Sequence, residues 1–231
     1  MTSIPLSPAA SCATHRRFVN RRNLKWTGGA ALFLIIAVAL YLFLRPPNQE
    51  DIIKTAYAYE GGGYCALSDS GVPEPVVHQG ITILRQSKGG SYCCGFTFLV
   101  AMKVAEERGL LKKKQPYEVA RFQKEWYGAA KGSNWRQLVL AMENLGIGRQ
   151  IDPRDARAGD FAVVHRVRGA GHSVIFLDWV KHNDITVGFR YRSSQPSTNG
   201  VGDGIEYFVT SGYKGATVDP KHFYVGRLNR R

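Results

Sequence analysis

Cys93 and Cys94 stand where the turn Gly89, Gly90, Ser91 meets an apolar segment, and Gly171, His172, Ser173, Val174 opens a β-rich stretch about eighty residues later. A thiol at a helix start, followed at long range by a strand histidine, is a pattern that supports nucleophilic catalysis. Ser91 is a natural helix cap, which places both thiols in the first helical turn, where unpaired backbone N–H groups and the helix dipole favour negative charge. A thiol there loses its proton more readily, and the thiolate is the reactive form. His172 is the expected base, stabilising the thiolate and carrying its proton to the leaving amine. Gly95 removes a side chain two residues after Cys93, so a substrate backbone or a neighbouring strand can come close, and the backbone N–H of Cys93 can help hold an oxyanion. A reading without chemistry stands beside this one: adjacent cysteines opening a hydrophobic helix also serve as core residues or as half of a disulfide. Zinc is not expected, because C-x-x-C and H-E-x-x-H are missing and adjacent cysteines are poorly placed to ligate one ion; no cofactor is expected either.

A short turn at Asn183 and Asp184 joins the His172 strand to the next, and antiparallel pairing then sets residues near 195 opposite His172, with Tyr191, Ser193 and Gln195 on one face. Gln195 is the expected third member, its amide oxygen holding the imidazole N–H and selecting the tautomer. A slip of two residues substitutes Ser193, and 193–199 also reads as an ordinary polar loop. His165, between Val164 and Arg166, reads as a half-buried structural residue, and His78, His182 and His222 show no partner pattern.

With these residues in view, the chain resembles a known group. Tyr92, Cys93, Cys94, Gly95, Phe96 is similar to the D-C-S-G-F nucleophile motif of the NlpC-type papain-like cysteine peptidases and amidases, which include CHAP-like cell-wall hydrolases. Ala158, Gly159, Asp160, Phe161 resembles their P-G-D-L block, and Gly171, His172, Ser173, Val174, Ile175, Phe176, Leu177 their H-V-G-I-Y-L block. The resemblance covers roughly residues 80–211 and implies a papain-like fold with Cys93 as nucleophile and His172 as base. The chain departs from the pattern at Tyr92, where the family has Asp, at Cys94, where it has a small residue, and at Val174, where it has Gly.

The surrounding elements predict an α+β fold. A short strand is expected at 81–84 and a buried helix from Tyr92 to about Arg108, apolar nearly all round until Met102 and ended by Gly109. Further helices are expected at 117–127 and at 135–145, the second capped by Ser133 or Asn134 and stopped by Gly146. Strands follow at 161–167, 173–179, 185–193, 205–210 and 223–228, which predicts an antiparallel meander.

Residues 26–44 form a nearly unbroken apolar run, long enough at about 1.5 Å per residue to cross a hydrocarbon core of ~30 Å. Arg16, Arg17, Arg21, Arg22 and Lys25 precede it without an acid, while Arg45 alone follows at once, so the positive-inside bias places the N-terminus in the cytoplasm. The expected organisation is a basic cytoplasmic segment at 1–25, a transmembrane helix at 26–44, a linker or stalk at 45–79 and a thiol hydrolase domain at 80–231. A cleaved signal peptide is the rival, and Ala56, Tyr57, Ala58 mimics its cleavage site, but far beyond the apolar run. The whole chain carries +13; the first 45 residues hold six of the 31 Lys and Arg, leaving 25 bases against 18 acids, or +7. A basic external domain suits an anionic polymer or membrane surface, and no nucleic-acid partner is expected. Cys12 then faces the reducing cytoplasm, and if Cys93 is the nucleophile, Cys65 with Cys94 is the pairing that spares it; a merely buried Cys94 is equally open.

The sequence therefore predicts a thiol hydrolase in the inner membrane, facing the periplasm or cell wall and cleaving an amide bond in peptidoglycan or a related peptide, the substrate class coming from the resemblance. A catalytically silent wall-binding module, a thiol acyltransferase acting on lipids and a structural protein with Cys93 in a disulfide are the alternatives.

Overall fold

The structure, a computed structural model, describes residues 31–36, 49–65, 69–129 and 135–230. The chain divides into two units, Met1–Pro46 and Pro47–Arg231. In the first, residues 31–36 are helical with exposed apolar side chains; the rest of the expected membrane span lies outside the described residues. Among the described residues no helix is long and apolar enough to cross a membrane.

The second unit is α+β. Its helices are α1 (Glu50–Tyr57), α2 (Cys93–Glu107), α3 (Pro116–Trp126) and α4 (Gln137–Leu145). Its strands are β1 (Gly61–Gly62), β2 (Val76–His78), β3 (Ile81–Leu84), β4 (Gly148–Ile151), β5 (Phe161–Arg166), β6 (His172–His182), β7 (Ile185–Gln195), β8 (Gly200–Tyr207) and β9 (Val218–Leu228). Seven strands form one antiparallel sheet in the order β1-β8-β7-β6-β5-β9-β4, and β2 with β3 forms a separate hairpin. The expected meander holds for β5 to β8 only. β9 returns across the sheet to pair with β5, and β4, whose polar Arg149 and Gln150 hide it from pattern reading, extends that edge.

α2 is the central element. Every side chain from Phe96 to Met102 is buried, so this helix needs no polar face. Phe98 packs on Phe122 and Trp126, Trp126 meets Phe161 of β5, and the Trp126 indole N–H donates to Thr97 Oγ1 at 3.2 Å. α3 starts with Pro116 after Gln115, whose capping box with Glu118 satisfies the first N–H groups. α4 starts at Gln137 with Arg136 as cap; Ser133 and Asn134 lie outside the described residues. Gly146 ends it in the left-handed conformation (φ 75°), as the sequence predicts. A second apolar cluster, with Phe176, Phe189 and Phe223 at its centre, fills the other face of the sheet.

The stalk expected at 45–79 is corrected over much of its length. α1 buries Ile52 and Ala56 completely in the main core, the full burial of the Ile side chain being worth roughly 1.5–3 kcal/mol. Its C-terminal carbonyls are held by a buried guanidinium: Arg192 Nε donates to Ala56 O at 3.2 Å and Nη2 to Tyr59 O. The mixed charge of Glu50, Asp51 and Lys54 belongs to a short amphipathic helix. The β2–β3 hairpin is also folded: Gln79 and Gly80, both at positive φ, form its two-residue turn, and buried His78 hydrogen-bonds Glu106 and the Lys114 carbonyl. His78 thus has partners, contrary to its sequence reading.

Asp160, from the Ala158–Phe161 block, is fully buried and takes a two-point ion pair from Arg227, Nε to Oδ1 and Nη2 to Oδ2, both at 2.7 Å. Gln49 Nε2 donates to the same carboxylate at 3.2 Å and Arg157 N at 2.7 Å. This residue ties the segment before α1 to the starts and ends of two strands, a structural role.

Candidate active site

Cys93 is the first residue of α2, and the residue before it, Tyr92, is extended (φ −139°, ψ 171°) and occupies the cap position without a side-chain cap bond. Ser91 is not the cap. Its hydroxyl instead donates to Ser194 Oγ at 2.8 Å, tying the turn before Cys93 to the end of β7. Gly95 serves packing within the chain: a Cβ there would sit 2.1 Å from Gly71 O, and that same carbonyl accepts from Tyr92 N at 3.2 Å. The space attributed to a substrate is filled by the chain's own Gly71 loop.

His172 begins β6 and Gln195 ends β7, and the turn at Asn183 and Asp184, both at positive φ, is the expected two-residue turn. His172 Nε2 lies 3.2 Å from Gln195 Oε1, with both side chains buried. An amide oxygen only accepts, so Nε2 carries a proton and Nδ1 is the nitrogen that can exchange one with Cys93. The Tyr191 ring stands edge-on to the imidazole at 5.3 Å and holds its plane. Gly204 makes room for the amide, since a Cβ there would come within 3.0 Å of Gln195 Nε2. Ser193, the alternative third member, is engaged elsewhere: its hydroxyl donates to Ser173 O at 2.7 Å.

Cys94 sits beside the nucleophile position, its Sγ 3.9 Å from Cys93 Sγ and 3.3 Å from Ser173 Oγ. The Cys94 thiol lowers the Cys93 pKa well below the usual thiol range; His172 and the Ser173 backbone N–H act in the same direction, against burial. The hydrogen bond with Cys93 pushes Cys94 the other way, well above that range, and burial and the Cys93 charge add to it, against Ser173. The two thiols are therefore driven apart, Cys93 toward the thiolate and Cys94 toward the S–H form. Ser173, adjacent in sequence to His172, is the member of this cluster that sequence reasoning did not assign a role; Cys94 was read as a disulfide partner of Cys65 or a buried thiol.

Cys65, Cys93 and Cys94 are all free, so the Cys65–Cys94 bridge is not formed; Cys65 Sγ instead lies 3.4 Å from Ser87 Oγ. His165 is outside the cluster, with Nε2 on the Trp135 carbonyl at 2.8 Å, and His222 pairs with Asp219. Among the described residues no group of three His, Cys, Asp or Glu side chains is arranged to hold a metal ion. Beyond these residues, Arg166 of β5 and Glu206 of β8 form a two-point ion pair across the sheet. No protein-family model, curated protein or solved structure matches the chain.

Proposed function

We propose that the chain is a membrane-anchored, papain-like thiol hydrolase that cleaves an amide bond in peptidoglycan or a related peptide outside the cytoplasm. The observation that carries the reading is the line Cys93, His172, Gln195: a thiol with a lowered pKa at a helix start, facing an imidazole whose far nitrogen is held by an amide oxygen. His172 Nδ1 holds the proton taken from Cys93, and the thiolate of this ion pair attacks the amide carbonyl, forming a C–S bond and an oxyanion at the first-turn N–H groups of α2, which have no intrahelical acceptor. The imidazolium of His172 then protonates the leaving nitrogen as the C–N bond breaks, leaving a thioester on Cys93. Water, deprotonated by His172, attacks the thioester, and the Cys93 thiolate leaves with the pair of electrons, restoring the starting state. Gln195 is a positioning residue, keeping the tautomer in which Nδ1 faces sulfur.

The basic charge left after residue 45 and the apolar run at 26–44 support an anionic polymer at the outer face of a membrane as the substrate. Incubation of the purified full-length protein in detergent with peptidoglycan, followed by mass analysis of released fragments, tests the reading. New amine and carboxyl ends, absent with Cys93→Ala, are the expected result. Intact polymer with a reactive Cys93 overturns the hydrolase assignment, and an acyl group passed to an amine or lipid instead would make the protein an acyltransferase.

A further inference from the structure

The mechanism leaves one thiol of the α2 start unused. Cys94 is free, as Cys93 is, and both are half-buried, so a small solute reaches them from water. Their sulfurs are 3.9 Å apart, and the other close partner of Cys94 is a hydroxyl, Ser173 Oγ at 3.3 Å. Cys65 is buried and faces Ser87 Oγ at 3.4 Å. A partly exposed thiolate is the form of cysteine that peroxides oxidise, and a second thiol beside it decides whether the product is reversible. Without a neighbour the sulfenic acid goes on to sulfinic acid, which ordinary thiols do not restore. With one it closes to a disulfide, which they do.

We infer that Cys93 and Cys94 form a peroxide modification site, in which Cys94 captures the oxidised nucleophile as a Cys93–Cys94 disulfide and so protects it reversibly. Of the hydrolase reading, the inference rests only on Cys93 being the reactive thiolate paired with His172. The Cys93 sulfur attacks one oxygen of a hydroperoxide; an S–O bond forms, the O–O bond breaks, and His172 gives its proton to the departing alkoxide or hydroxide. Cys93 is then a neutral sulfenic acid. The thiolate that held Cys94 in its S–H form is gone, while Ser173, which acts in the opposite direction, remains, so oxidation of the first thiol releases the second. The Cys94 sulfur attacks that of Cys93, its proton leaves with the hydroxyl group as water, and an S–S bond replaces the S–O bond. The sulfurs must approach from 3.9 Å, which turns the peptide that joins them. That peptide lies in the first turn of α2, where the Cys94 N–H has no intrahelical acceptor to lose. Thr97 Oγ1, on the Cys93 carbonyl at 2.9 Å, has the Cys94 carbonyl at 3.3 Å as a second acceptor. Adjacent Cα atoms are about 3.8 Å apart across a trans peptide, closer than the roughly 4.4–6.8 Å of ordinary disulfides, so the ring opens readily to an added thiol.

The test uses reduced full-length protein in detergent, a few equivalents of hydrogen peroxide and tryptic mass mapping. Cys93 and Cys94 fall in one peptide, 89–103, and Cys65 in another, 55–85. In the wild type, peptide 89–103 should lose about 2 Da, two hydrogens, and its iodoacetamide labelling should fall about tenfold, both recovering with dithiothreitol. In Cys94→Ala and in Cys94→Ser the same peptide should instead gain about 32 Da, two oxygens at Cys93, and its labelling should not recover. Fragment ions place each change on the cysteines rather than on Met102. Wild-type protein that goes to the sulfinic acid as fast as the variants, or a disulfide joining 89–103 to 55–85, overturns the inference. Peptidoglycan cleavage is read separately on the same samples. A reversible Cys93–Cys94 disulfide in protein that never cuts the polymer keeps the modification site and removes the hydrolase reading; cleavage that peroxide abolishes beyond recovery by dithiothreitol does the reverse.

Discussion

Cys93 Sγ and Cys94 Sγ lie 3.9 Å apart, and their pKa values are driven in opposite directions, down for Cys93 and up for Cys94. A pair of adjacent thiols that shares its protons in this way has one nucleophile and one donor. Iodoacetamide at neutral pH should therefore modify Cys93 first, as read by peptide mass. Cys94→Ala should shift the Cys93 alkylation profile to higher pH by removing the S–H, and Cys94→Ser should restore part of the shift. Label arriving mainly on Cys94 would move the nucleophile by one residue.

His172→Ala removes both the imidazole that stabilises the thiolate and the proton carrier. Hydrolysis should fall by about 10²-fold or more, and the apparent pKa of Cys93 alkylation should rise. Gln195→Ala should give a smaller loss of kcat, because it frees the ring but leaves the proton-transfer group in place. His165→Ala should change neither measurement, since His165 bonds the Trp135 carbonyl away from the thiol. Identical alkylation profiles for His172→Ala and wild type would break the dyad.

Asp160→Asn should cost about 3–5 kcal/mol of stability, since it leaves the buried Arg227 guanidinium without its counter-charge. Urea unfolding is the measurement, with a lowered midpoint and an unchanged slope. Alkylation of Cys93 in the folded variant should keep its wild-type pH profile, which separates this motif residue from the chemistry.

Ile52→Ala should cost about 2–5 kcal/mol, as expected for emptying a buried aliphatic site. A chain beginning at residue 80 should fail to give a cooperative unfolding transition, whereas one beginning at Pro47 should give one. Wild-type stability of the shorter chain would return α1 to the status of a stalk.

A reporter active only outside the cytoplasm, fused after Arg231, should be active, and the protein should remain with membranes after a high-salt wash. An inactive reporter would reverse the orientation and remove the cell wall as a substrate; a soluble, shortened product would indicate cleavage near Ala58.

Local pattern alone located the thiol at a helix start, the histidine at a strand start and the two-residue turn between β6 and β7, because period and turn chemistry are written in neighbouring residues, although the cap is Tyr92 and not Ser91. The pairing of His172 with Gln195 was also legible, by a cancellation. Counting back from the turn sets 172 opposite 195 if the ladder is regular, and the ladder in fact carries two irregularities, one skipping Val187 on β7 and one skipping Leu177 on β6. Each alone would move the register by one residue and turn the wrong face toward the imidazole. Only tertiary structure decided that they offset each other, that Ser193 is spent on Ser173, and that Gly95 faces Gly71. It also decided that Cys94 is a free thiol beside Cys93, and that Asp160 is an ion-pair residue. The same holds for α1, whose few apolar residues look like a linker until Arg192, far along the chain, closes over its carbonyls. These outcomes depend on partners distant in sequence, and their free energy exists only once the chain has brought those partners together.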